Sequence, residues 1–203
     1  MRELVDRNRS HPGDGLIGDL IREHAGQIDD TELVGIADLL LLGGFETTAH
    51  MLSFGSLLLM RHPDGAEMLL DPQQAPTVVE ELLRYLTVVQ TGVPRVARED
   101  CVLGGQRVRR GERLACFLPS GNRDDRFTEP DVFDPHREKN PHLAFGHGIH
   151  YCLGAPLARA ELRTALPLLF RRLPGIRPAL TEDQLALRSY AAVYALDSLP
   201  VTW

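Results

Sequence analysis

Among the residues able to do chemistry, Cys152 has the most constrained surroundings. It lies in Phe145-Gly146-His147-Gly148-Ile149-His150-Tyr151-Cys152-Leu153-Gly154, followed by Ala155-Pro156-Leu157-Ala158-Arg159-Ala160-Glu161. Gly146 and Gly148 let the backbone turn sharply and approach a flat ligand closely, which a Cβ would obstruct. The cysteine is expected at a helix N-terminus, where unpaired N–H groups and the helix dipole favour a thiolate over a thiol. A thiolate is a metal ligand, and His150 is near enough in the chain to donate a hydrogen bond to an anionic group beside that metal. Three other readings compete. An ordinary buried cysteine needs no glycine loop around it. Zinc ligation by His147, His150 and Cys152 lacks a visible paired CxxC or HxxxH partner. A phosphate-cradling P-loop would need a lysine and a serine or threonine that are absent here. A flat metal-bearing ligand such as haem fits the loop better.

A second constellation is Gly43-Gly44-Phe45-Glu46-Thr47-Thr48. Adjacent glycines inside a helix cost about 1 kcal/mol each relative to alanine, so a ligand lying flat against the helix is expected there. Glu46 and Thr47 would then pass protons through a distorted turn, a carboxylate feeding a hydroxyl; taken alone, the run equally describes a kink and a solvated glutamate. The third constellation, Glu81-Leu82-Leu83-Arg84, sets opposite charges three residues apart on one helix face. An exposed ion pair is the commoner meaning of that spacing and is worth little, but Leu82 and Leu83 place a buried face alongside. The fourth, Val93-Pro94-Arg95-Val96-Ala97, puts an arginine on a short strand, where its guanidinium suits a carboxylate or simply faces solvent.

The elements that must position these residues can be read from periodicity and punctuation. Residues 1–27 read as two short amphipathic helices separated by His11-Pro12-Gly13-Asp14-Gly15. Asp29 and Glu32 have capping-box spacing and open a long helix over 29–61, some thirty residues that would extend roughly 45 Å. Pro63 opens a following helix, and Pro76 one over 76–86. Residues 93–118 alternate short β-prone runs with Gly104-Gly105 and Arg110-Gly111, which predicts a small antiparallel sheet. Residues 119–151 form a coil long enough to imply a function. A last helix is expected over 152–172, with Leu153, Leu157, Leu162, Leu166 and Leu169 on its apolar side, and a terminal hairpin over 187–203. The fold class is therefore mainly α with a small antiparallel β part.

Composition narrows the function. The 203 residues are 43% hydrophobic and 25% charged, near the globular average. A net charge of −6 offers no general attraction to nucleic acid. Three cysteines without a CxxC pair suggest neither a disulfide framework nor a thiol-rich zinc site, and fit a reducing cytoplasm. The first residues are charged and lack the apolar stretch of a secretory signal. The most hydrophobic run, Leu33 to Phe45, contains Asp38 and is too short for a bilayer, so it is expected as a buried helix and no membrane is expected as a partner.

Taken together, the motifs resemble the cytochrome P450 family in its bacterial, soluble type. The Cys152 stretch matches the family's F-G-x-G-x-H-x-C-x-G loop, residues 43–48 resemble its oxygen-activating A/G-G-x-D/E-T-T motif, and residues 81–84 match E-x-x-R. The ending Ser198-Leu199-Pro200-Val201-Thr202-Trp203 also resembles bacterial family termini. The resemblance implies haem b (iron protoporphyrin IX) with Cys152 as axial ligand, Phe145 packed near the sulfur, Gly146, Gly148 and Gly154 shaping the loop, and His150 and Arg95 binding haem propionates. It implies that Gly43 and Gly44 face the haem from the distal helix while Glu46 and Thr47 take the acid and alcohol positions, with O2 as co-substrate. It makes Glu81 and Arg84 structural, joined by an arginine from the coil: Arg137, or in the alternative Arg123. The implied fold is the C-terminal portion of the cytochrome P450 fold, since complete members are about twice this length. The implied activity is a monooxygenase acting on a small organic substrate, with electrons from a ferredoxin-type donor and its reductase. A chain supplying the missing N-terminal half is a further expected partner. The alternatives are a non-catalytic haem-binding helper that pairs with another chain, or a truncated product.

Overall fold

Helix starts in this chain follow its prolines and acidic caps. In the computed structural model, which describes every residue except Ala25, Val93, residues 189–192 and the side chain of Glu182, seven α-helices and eight short strands are present among the described residues. The chain divides into two compact units, residues 1–46 and 47–203.

The first unit holds α1 (Arg2–Ser10), α2 (Leu16–Glu23) and the first part of α3 (Asp30–Arg61). The capping box opening α3 is reciprocal: the Glu32 N–H donates to Asp29 at 2.8 Å and the Asp29 N–H donates to Glu32 at 3.0 Å. Val5, Ile21 and Leu33 form a small core, and Arg9 ties α1 to α3 through Asp30 at 2.8 Å. The run expected as a buried helix departs from that expectation: Leu39 to Leu42 and Phe45 are exposed, Leu42 at 74% and Phe45 at 70%. Hydrophobic residues on every side of a helix need partners on every side, and the described residues of the first unit leave these exposed.

The second unit is built on one apolar cluster. Met51, Phe54, Leu57 and Leu59 of α3 pack with Leu69 of α4 (Pro63–Leu70), Val78, Val79, Leu82 and Leu83 of α5 (Ala75–Leu86), and Leu162 and Leu166 of α7 (Ala155–Arg172). Each such leucine contributes about 1.5–3 kcal/mol on burial. A short α6 (Leu118–Gly121) begins where Pro119 ends strand character. Gly121 allows the coil to close over it, since a Cβ there would lie 2.9 Å from Leu143 Cδ1.

The sheet expected over 93–118 is two separate antiparallel pairs. The strand β1 (Arg95–Val96) pairs with β4 (Arg113–Leu114), while β2 (Cys101–Leu103) and β3 (Gln106–Val108) form a hairpin around Gly104 and Gly105. Both glycines have positive φ, as a two-residue primed turn requires. Val93, expected to start the first run, lies outside the described residues. The terminal hairpin needs correction: β6 (Leu187–Arg188) pairs with β7 (Ala195–Leu196), but β8 (Val201–Thr202) pairs with β5 (Arg177–Pro178). Pairing with a strand that precedes 187 leaves no signal in the terminal residues themselves. Helix α7 also starts later than expected, because Gly154 is its N-cap and Pro156 sits in its first turn. Cys152 therefore precedes the helix.

What holds the long coil is a buried charge cluster. Glu81 and Arg84 have no exposed surface. The Glu81 carboxylate accepts from Arg84 Nε at 2.7 Å and Nη2 at 2.8 Å, Arg137 Nε at 3.1 Å, Asn140 Nδ2 at 2.9 Å and the Asp134 N–H at 2.9 Å. Arg84 also donates to the carbonyls of Asn122, Pro130 and Val132 at 2.8, 2.7 and 3.0 Å, so all five of its N–H groups are engaged. Arg137 supplies the contact from the coil. Arg123 instead pairs with Asp131 at 2.9 Å and lies 4.3 Å over the Tyr85 ring. Thr87, in the left-handed region at φ 38°, ends α5; its hydroxyl donates to the Arg84 carbonyl at 2.7 Å and accepts from Asn122 Nδ2 at 2.7 Å.

Removing one member of a buried pair leaves the other charge uncompensated, at a cost of about 3 kcal/mol or more. Arg84→Lys keeps the charge but lacks the fork, and urea unfolding should show it destabilised by about that amount. Arg107→Lys, at an exposed pair with Asp100, should change stability by less than about 0.5 kcal/mol.

Candidate functional site

The Cys152 loop folds by bonding to itself. The Gly146 N–H donates to the Leu143 carbonyl at 2.8 Å, Gly146 and Gly148 take φ of 74° and 79°, and residues 148–150 form one 3-10 turn closed by the Tyr151 N–H on the Gly148 carbonyl at 2.9 Å. The Cys152 N–H then donates to the Phe145 carbonyl at 3.0 Å. A residue with a Cβ is strained at either glycine. The result is a thiol presented on a tight loop: Cys152 is a free, exposed cysteine, flanked by Ile149 at 97% and Leu153 at 84% exposure. Among the described residues no three His, Cys, Asp or Glu side chains converge as a metal-binding group.

Behind the loop stands a second polar cluster. Glu80 of α5 accepts from Arg159 of α7 through Nε at 2.7 Å and Nη2 at 2.8 Å, and from Arg163 at 3.5 Å. His142 Nδ1 accepts the Ala144 N–H at 3.2 Å, so Nε2 carries the proton and donates to Glu80 at 3.0 Å. Arg159 also donates to the Tyr151 hydroxyl at 3.3 Å and lies 4.6 Å over the Phe145 ring. Burial pushes the Glu80 carboxyl up, but the hydrogen bonds from Arg159 and His142 and the Arg159 charge outweigh it and hold its pKa at about 2. The Glu80 hydrogen bond in turn raises the Arg159 guanidinium above its ordinary value. Glu80, His142 and Arg159 were not singled out by the motifs. The visible signal was the doubled Glu80-Glu81 together with Arg159 and Arg163 one turn apart.

Gly43, Gly44 and Glu46 belong to the first unit, on the exposed surface of α3, and the helix continues through them without the distorted turn expected there. A Cβ on Gly43 or Gly44 would meet nothing within 4 Å, so the pair presents open helix surface. Thr47 is half-buried in the second unit, and neighbouring Thr48 donates to Glu161 of α7 at 3.1 Å. His150 is exposed in the 3-10 turn and Arg95 is exposed at the start of β1. A Cβ at Gly154 would lie 3.8 Å from Cys152 Sγ, ordinary van der Waals contact.

The loop thus presents a soft, exposed sulfur donor with apolar flanks, the type of donor that suits transition metals. The family model described as Cytochrome P450 matches residues 75–176, and the chain belongs to that family. It is 47% identical over 204 residues to pentalenic acid synthase of Streptomyces avermitilis, covering 98% of this chain and 50% of that protein. It is 44% identical over 205 residues to nocardicin C N-oxygenase of Nocardia uniformis subsp. tsuyamanensis, covering 99% and 52%. The crystal structure of OxyC, a cytochrome P450 implicated in an oxidative C–C coupling reaction during vancomycin biosynthesis, superposes with a TM-score of 0.94 at 44% identity, covering 99% of this chain and 52% of that one. The chain spans about half the length of the curated relatives it matches, and its fold is the C-terminal portion of the cytochrome P450 fold. The family's cofactor is haem. Among the described residues no helix is long and apolar enough to cross a membrane.

The Glu80 cluster makes a prediction with a definite sign. Its folded pKa, about 2, lies below the ordinary 4.5, so the unfolded chain binds the extra proton in between. The stabilisation is complete above pH 4.5 and is lost as pH falls toward 2. Thermal melts at stepped pH should show Glu80→Gln less stable than wild type at pH 7, with a shallower loss across that acid window.

Proposed function

We propose that this chain carries the haem-binding half of a monooxygenase that inserts one oxygen atom of O2 into a small organic substrate. The single observation that carries this reading is the self-bonded loop presenting Cys152. Bound haem supplies reductive activation of O2, favoured by the electron density that a thiolate pushes onto the iron. Cys152 Sγ is the ligand, and Gly146, Gly148 and Gly154 give the loop its approach. His150 and Arg95 bind propionates as donors to carboxylates. Glu46 takes protons from solvent and passes them to the Thr47 hydroxyl, which delivers them toward O2. Gly43 and Gly44 leave room along that stretch of α3.

Electrons come from a ferredoxin and its reductase, and the location is cytoplasmic. The names of the relatives, an acid synthase, an N-oxygenase and an oxidative coupling enzyme, support a substrate from secondary metabolism. One observation favours a second reading, in which the chain works only beside another that supplies an N-terminal half: Leu39 to Leu42 and Phe45 are exposed in the first unit. Uncovered apolar surface of that kind marks an interaction site.

The carbon monoxide difference spectrum of the reduced, haem-reconstituted chain tests the ligand. A red-shifted thiolate band that is absent in Cys152→Ala is the expected result; the same band in both would remove Cys152 from the role. In substrate turnover, Thr47→Ala should lower product formed per O2 consumed, with product formation down about 10²-fold if the hydroxyl acts in proton delivery.

A further inference from the structure

Two neighbouring carboxylates of α5 face different structures. About 100° separates successive side chains on a helix, and while Glu81 turns to the coil, Glu80 turns to α7 and the Cys152 loop. The contacts of Glu80 are a bidentate pair with Arg159, a bond from His142, whose side chain is 2% exposed, and the longer bond from Arg163. This ion pair is part-buried rather than exposed, and it has a second attachment. The same Arg159 guanidinium lies over the Phe145 ring and donates to the Tyr151 hydroxyl. Phe145 provides the carbonyl that accepts the Cys152 N–H, and Tyr151 is the residue immediately before the cysteine. Both partners that fix the direction of the Cys152 backbone are therefore held by one side chain, which a single carboxylate orients. His142 adds a third point, since it binds Glu80 through one ring nitrogen and the Ala144 N–H, beside Phe145, through the other.

We infer that Glu80 is a positioning residue: through Arg159 and His142 it holds Phe145 and Tyr151, and so sets the direction in which Cys152 Sγ is presented to the iron. The inference rests on Cys152 being the ligand. A glutamine at 80 has one acceptor oxygen and no charge, so it cannot hold the fork of Arg159. An aspartate keeps both acceptors on a shorter stem.

Amide hydrogen exchange on the full chain without haem isolates the positioning step. In Glu80→Gln, exchange at Cys152 and Gly146 should rise about tenfold more than at Leu82 in α5 or in the β2–β3 hairpin, the loss of one charged hydrogen bond. Glu80→Asp should restore most of the protection. Arg159→Lys, which loses both fork and ring stacking, should show the same local pattern and carries the test if Glu80→Gln does not fold. Iodoacetamide labelling should follow suit, with Cys152 changing its rate relative to Cys116. In haem-loaded samples, Glu80→Gln should shift the iron reduction potential while keeping a thiolate band. Unchanged loop exchange in the variants, or a uniform rise across the whole chain, would overturn the inference. Local loosening together with no thiolate band even in wild type would uphold the positioning and sink the ligand reading instead.

Discussion

The fully buried Glu81 carboxylate is the constraint on which the second unit depends. Taking a carboxylate and a guanidinium out of water costs several kcal/mol per ion, and their attraction repays this only when every remaining donor and acceptor is used. Glu81 meets that condition with two contacts from its own helix and three from the coil: Asp134, Arg137 and Asn140. Arg84 meets it by turning three of its donors to the carbonyls of residues 122, 130 and 132. A coil of this length has no ladder of its own to hold it, so its backbone groups must find partners elsewhere. The charge cluster supplies those partners and gives the coil a defined path across α5.

That path ends at the cysteine. Asn122, anchored by Thr87 and by its own carbonyl on Arg84, accepts the Leu143 N–H at 2.6 Å through its side chain. Leu143 in turn accepts the Gly146 N–H, and from there the loop closes on Phe145 and Cys152. Packing follows a parallel route, since Leu82 and Leu83 lie in the same apolar cluster as Leu162 and Leu166 of α7. Stability and site geometry are thus carried by one helix: α5 holds the coil with Glu81 and Arg84, and the back of the loop with Glu80.

Much of this was legible in short-range patterns. The glycine loop, the Glu-x-x-Arg spacing and the Asp29–Glu32 cap are local signals, and together they were enough for the fold class and the family. Two arginines, Arg123 and Arg137, were open as partners of Glu81, and only the folded coil brings Arg137 to it, from 56 residues away. The Glu80–Arg159 pair joins residues 79 apart, a distance at which no periodicity carries information. The β5–β8 pairing is hidden for the same reason. The start of α7 moved because Gly154 and Pro156 act locally on an apolar pattern that continues past them. The exposure of Leu39 to Phe45 was unreadable in another way: hydrophobicity shows that a surface needs a partner, not whether the same chain provides it.

The most direct test of this account is amide exchange at Asp134 and Leu143 in the wild-type chain. Their N–H groups donate to the side chains of Glu81 and Asn122, within a coil that has little regular structure. The account predicts that both exchange as slowly as Leu82 in α5, opening only when the unit unfolds. Exchange at these two amides orders of magnitude faster than at Leu82 would mean that the buried charges do not hold the coil, and the route from Glu81 to Cys152 would fail.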